Sequence, residues 1–99
     1  MPTTVEAGIG RALEALDALA ARGEEIEDEW QYVTDLHRAW RERLTEVATA
    51  RGAEPLDAAA ERAIDTAVAA ATRVEDPHRA IDWLSTFPQI ALLALGEPS

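Results

Sequence analysis

Apolar side chains recur along this chain every three or four positions, in stretches separated by short polar breaks. The first runs Val5, Ile9, Ala12, Leu16, Leu19, with Leu13 and Ala20 widening it. Such spacing lays one stripe along a helix, whereas a half-buried strand would alternate every second residue. Thr3 followed by Glu6 predicts a capping box at its start. Arg22-Gly23 predicts its end, a cation in the last turn followed by glycine. Glu24-Glu25-Ile26-Glu27-Asp28-Glu29 then reads as the anionic first turn of a second helix, whose apolar positions are Ile26, Trp30, Val33, His37, Trp40, Leu44 and Val47. These steps of four and three keep the phase of the first segment across Gly23. A break at Gly23 is expected, and one long helix is the alternative, since an interior glycine costs only about 1 kcal/mol.

Arg51-Gly52 predicts the next helix end, and Pro55 suits the first turn of a third helix, where its missing amide is not needed. That helix is expected from Pro55 to Val74, with Leu56, Ala60, Ala63, Ile64, Ala67, Ala71 and Val74 inward. Asp76-Pro77 repeats the start signal for a helix carrying Ile81, Trp83 and Leu84. Ser85-Thr86-Phe87-Pro88 predicts a break, because proline removes a helical hydrogen bond. A last short helix, Phe87 to Leu95, would then end at Gly96; it is apolar almost all round and is expected to be buried on every side. The predicted fold is all-α, an antiparallel helical bundle of three main helices plus two short C-terminal helices, with no β-sheet and the second helix as its spine. Residues 1–99 form a single domain in this reading.

Composition sharpens the picture in two ways. Much of the 47% hydrophobic content is alanine, which favours helix but brings little buried area. The large side chains, Trp30, Tyr32, Trp40, Trp83 and Phe87 with the leucines and isoleucines, are therefore expected to anchor the core. A chain this short buries roughly 60 to 65% of its unfolded surface, so association would add useful burial.

Charge and missing residue types exclude several activities. All nine basic residues are arginine, against nineteen carboxylates, and the net charge is −10. Direct binding to nucleic acid or to an anionic membrane is disfavoured, and basic partners would be attracted. Without lysine there is no Schiff-base or P-loop chemistry, and without cysteine no disulfide, zinc-thiolate site or thiol nucleophile. No cofactor is expected. The residues after Met1 lack a basic and an apolar leader region, and the longest apolar run, Ile90 to Leu95, is too short to span a bilayer. A cytoplasmic protein is the simplest expectation.

What remains points to protein contact. Ile26, Trp30, Val33, His37, Trp40 and Leu44 form a seam against another helix, in the same chain or a partner. Phe87, Ile90 and Leu93 of the apolar C-terminal helix are the second candidate contact, completing a partner's core or a homodimer's. The leading expectation is a non-catalytic assembly or regulatory protein that forms a homo-oligomer or hetero-complex. His37 reads as a satisfied histidine of the seam, because metal sites need several converging donors and His78 has no ligand-spaced companion.

Two alternatives use the carboxylates. Asp57, Glu61 and Asp65, with the acidic run 24–29, form a ladder that would imitate phosphate charge and block a nucleic-acid-binding protein; Arg62 and Arg73 interrupt it. Glu24, Glu25 and Asp28, with Glu61 and Asp65, resemble the paired acidic motifs of the all-α nucleotide pyrophosphohydrolases. That resemblance implies a Mg²⁺-dependent enzyme acting on a triphosphate. It covers five residues, and Glu61 and Asp65 stand one position further apart than that family's second motif. Arg73 and His78 have a spacing similar to that of helical-bundle ribonucleases, but Asp76-Pro77 falls between them and breaks the helix.

Overall fold

The computed structural model describes residues 3–97. Four α-helices account for most of them: α1, Val5–Gly23; α2, Trp30–Arg51; α3, Ala58–Thr72; and α4, Pro77–Ala94. A single 3₁₀ turn, Glu27–Glu29, precedes α2. Among the described residues there is no strand, and one isolated bridge joins Thr4 to Pro55.

Three of the four helices are capped by a side chain, and three starts lie elsewhere than the sequence suggests. Helix α2 begins only at Trp30, with no side-chain cap, so the anionic run 24–29 is not its first turn: Ile26 is extended and Glu27–Glu29 form the 3₁₀ turn before it. Thr4, not Thr3, caps α1, accepting the Ala7 amide at 3.2 Å. Thr3 turns away and donates its hydroxyl to Glu61 at 2.8 Å. Two further amides of that first turn are satisfied from outside the helix, Val5 by the Glu54 carbonyl at 2.9 Å and Glu6 by that of Gly52 at 3.1 Å. The segment between α2 and α3 is held against the start of α1 in this way, which keeps Pro55 out of any helix. The third helix starts instead at Ala58, where Asp57 accepts the Ala59 amide at 2.7 Å. Asp76 and Pro77 begin α4 as their types predict, with Asp76 accepting the His78 amide at 3.0 Å.

The break at Gly23 is present, although not through a left-handed glycine. Gly96 alone among the described residues has a positive φ, 77°. At Gly23 the reason is space: a Cβ there would lie 3.1 Å from Ile81 and 3.2 Å from Val33, so α1 ends where α2 and α4 both crowd it. At Gly96 the Glu97 amide bonds the Leu92 carbonyl at 2.9 Å and the Gly96 amide that of Leu93 at 3.0 Å, a Schellman closure of α4.

The expected break at Ser85–Pro88 does not occur. Helix α4 continues through Pro88, so the two short C-terminal helices are one. Proline at 88 deprives the Leu84 carbonyl of its usual partner and crowds the turn before it. Side chains compensate nearby, as Gln89 Nε2 donates to the Ser85 carbonyl at 2.9 Å and Thr86 Oγ1 to that of Asp82 at 3.3 Å. Burial of Phe87 and Pro88 against the other helices fixes the segment, so packing overrides the local preference.

Helix α1 is the spine, in place of α2. It packs on each of the other three helices, most extensively on α4, whereas α2 and α3 have no substantial contact with each other. The two lie on opposite flanks of the α1–α4 pair. The core is aliphatic, with Ile9, Leu16, Leu19, Leu44, Ile64, Leu84 and Leu92 almost wholly buried. Of the five aromatics expected to anchor it, Phe87 alone is fully buried; Trp40 and Trp83 pack on its edge, and Trp30 and Tyr32 are exposed. Alanine and glycine explain how so few large side chains suffice. A Cβ at Gly8 would lie 3.0 Å from Leu56 and 3.5 Å from Ile64, so glycine there lets the large side chains of α3 and of the segment before it close onto α1.

Charged side chains tie the ends. Arg51 bonds the Leu95 carbonyl at 2.8 Å and Glu97 at 2.7 Å, and Arg43 reaches the same carboxylate at 3.3 Å. Hydrogen bonds to Glu54, then to Glu97, hold the Arg51 guanidinium still more firmly in its charged form.

Candidate protein-contact surface

The nine seam and C-terminal positions divide by the number of neighbours each has. Val33, Leu44 and Phe87 are wholly buried in the chain's own core. Trp40 is half-buried against that core, and Ile26 is half-buried just before the 3₁₀ turn. His37 spans helices: its Nε2 lies 2.7 Å from Asp17 of α1, which also receives Arg41 at 2.8 Å. An ionised carboxylate can only accept, so that ring nitrogen carries the hydrogen. This contact fixes the flank of α2 on α1. Trp30 remains 49% exposed and Leu93 63%, with Ile90 half-buried.

Continuity of α4 through Pro88 gives Ile90 and Leu93 a companion that the sequence reading placed in the core. Trp83, Thr86, Ile90 and Leu93 follow one another by three, four and three residues, a single outward stripe on one helix. Beside it lies α3, presenting Ala63, Ala67 and Ala70. Between the two helices runs a trough of about 570 Å³, floored by those alanines and walled by Trp83 and Ile90. It continues past Ala70 and Trp83 into a second depression of about 430 Å³, which reaches Val74 at the turn into α4. Small floor residues make the trough; half-buried Trp83 and Ile90 make it apolar, and exposed Leu93 follows them along α4.

Its rim is basic in an acidic molecule. Five of the nine arginines, Arg11, Arg38, Arg41, Arg43 and Arg51, are in ion pairs. The other four, Arg22, Arg62, Arg73 and Arg79, have none among the described residues. Arg62, Arg73 and Arg79 all line the trough, with Glu75 and the capping Asp76 at its far end. The sequence carried this signal in part, as α4 read through Pro88 would have shown the stripe, but that Arg62 and Arg79 share a rim required the packing of α3 on α4.

Other surface features offer less. A depression of about 580 Å³ along α2 is lined from Arg38 to Ala50 by that helix alone. One convex helix cannot enclose a ligand. Among the described residues no group of three or more His, Cys, Asp or Glu is placed to hold a metal ion. Glu61 takes the Thr3 hydroxyl, Asp65 the Arg11 guanidinium, and Asp57 the α3 amide, so the ladder's carboxylates are occupied by contacts within the chain. Among the described residues no helix is long and apolar enough to cross a membrane. Comparison of the chain with protein-family models, with characterised proteins and with solved structures finds no match.

Proposed function

We propose that this chain is a non-catalytic protein-interaction module, an antiparallel helical bundle that works in assembly or regulation by presenting the α3–α4 trough to another polypeptide. The observation that carries this reading is the apolar stripe of half-buried Trp83 and Ile90 with Leu93, 63% exposed, beside an alanine floor. Leaving such a stripe in water forgoes about 25 cal/mol for each Å² that a partner would cover. Tryptophan set beside a small-residue depression is the side-chain chemistry of interface hot spots. Of the carboxylates that the acidic-mimic and pyrophosphohydrolase readings use, Asp57, Glu61 and Asp65 are engaged within the fold, and among the described residues no group of three or more His, Cys, Asp or Glu is placed to hold a metal ion. A cytoplasmic setting is part of the same proposal.

The test compares the native size of the chain in an extract of its own cells with that of a Trp83→Ala, Leu93→Ser double variant. The chain is expected to migrate as a species larger than its own 10.7 kDa, and the variant, with helicity retained, to fall back to the monomer. A wild-type chain that migrates as a monomer, or a variant that keeps the larger size, overturns the proposal.

A further inference from the structure

We infer that the occupant of the α3–α4 trough is a second copy of this chain, which inserts its acidic and aromatic segment 24–32. The inference rests on the reading of the trough as a contact surface and supplies its partner. Glu24, Glu25, Glu27, Asp28 and Glu29 form no ion pair among the described residues, just as Arg62, Arg73 and Arg79 form none. The largest group of free carboxylates and the basic rim are therefore both unmatched within one molecule. Directly after the carboxylates come Trp30, 49% exposed, and Tyr32, 51% exposed. Large aromatic side chains flanked by acid complement a trough with an alanine floor flanked by arginine.

Within one chain the two groups do not pair: the segment is anchored between α1 and α2, where Gly23 packs near Val33 and Ile81, and α2 packs on α1 and α4 without substantial contact with α3. A second molecule can bring the segment to the trough. Nine residues in one trough are a small contact beside the roughly 800 Å² per partner of a stable complex. Reciprocal exchange, each copy giving its segment and receiving the other's, doubles the area and closes as a two-fold dimer. Both charge groups lie at the surface, so the dimer weakens as salt rises through the range in which the screening length falls below about 10 Å.

Charge reversal distinguishes this arrangement from any other dimer. One variant carries Arg62→Glu, Arg73→Glu and Arg79→Glu; the second carries Glu27→Arg, Asp28→Arg and Glu29→Arg. All six positions are exposed, so both variants are expected to keep the helicity and melting behaviour of the parent. Light scattering across a dilution series is expected to give twice 10.7 kDa for the wild type and dimerisation weaker by about tenfold or more for either variant alone. Mixed one to one, the acidic trough of the first meets the basic segment of the second and the reverse pair also matches, so the dimer returns. A monomeric wild type, variants that dimerise undiminished, or a mixture that stays monomeric overturns the inference. If the wild type is monomeric when purified but still forms a larger species in extract that depends on Trp83 and Leu93, the interaction module stands and its occupant is a different protein.

Discussion

Helices α1 and α2 carry apolar residues at the same three-and-four spacing, yet nine of nineteen residues are buried in α1 and three of twenty-two in α2. The difference lies in what stands between the large side chains. The first helix interleaves Gly8, Ala12, Ala15, Ala20 and Gly23 with its leucines and isoleucines, so neighbours close in from several sides and every large residue on those sides is covered. The second interleaves tryptophan, histidine and arginine, which hold a neighbour off, and it packs along one face. Periodicity therefore marks a face, while the small residues determine how many helices that face can receive.

Four substitutions test this contrast. Leu16→Ala, at the centre of α1, is expected to cost about 3 to 4 kcal/mol in urea unfolding, because close-packed neighbours on several sides cannot collapse into the cavity. A loss below about 2 kcal/mol would mean that α1 is not the spine. Gly23→Val is next: its methyls would enter space held by Ile81 and Val33, and such overpacking costs about 2 kcal/mol, read as a lowered melting temperature. Pro88→Ala should act in the other direction. Relieving an interior proline is worth up to about 3 kcal/mol, lost ring packing offsets much of that, and a net gain of about 1 kcal/mol is expected. Destabilisation there would show that the buried ring outweighs the hydrogen bond it forfeits. Trp30→Ala closes the series, changing the stability of the monomer by no more than about 0.5 kcal/mol, since half of the ring already faces water.

The same contrast explains what could be read along the chain. Helix class, the start of α4 at Asp76-Pro77 and its close at Gly96 follow from local chemistry, and each is in place. Helix α1 also ends at Gly23, but there the cause is crowding by Ile81 and Val33. Pro55 and Pro88 carry the opposite lesson. Both have the same local preference, but Pro55 is held outside a helix by carbonyl bonds to the start of α1, and Pro88 inside one by burial. Those contacts join residues tens of positions apart, which no local window contains. Continuity at Pro88 has a functional consequence, because it joins Trp83 to Ile90 and Leu93 in one stripe beside the trough. Of the nine positions expected at an interface, Leu93, Ile90 and Trp30 are available for one, whereas Val33, Leu44 and Phe87 are spent on the chain's own core. The free arginines along the rim were invisible as a group, since their proximity depends on how α3 meets α4.

Photo-crosslinking in the native cells from two surface positions, Leu93 on the α4 stripe and Thr49 on the outer flank of α2, tests the central claim most directly. Both side chains are exposed, so chance encounters label them alike. Adducts of one defined mass from position 93, and none from position 49, are the predicted result, with a mass of two chains if the occupant is a second copy. Equal labelling from both positions, or a defined adduct from position 49 alone, would contradict it.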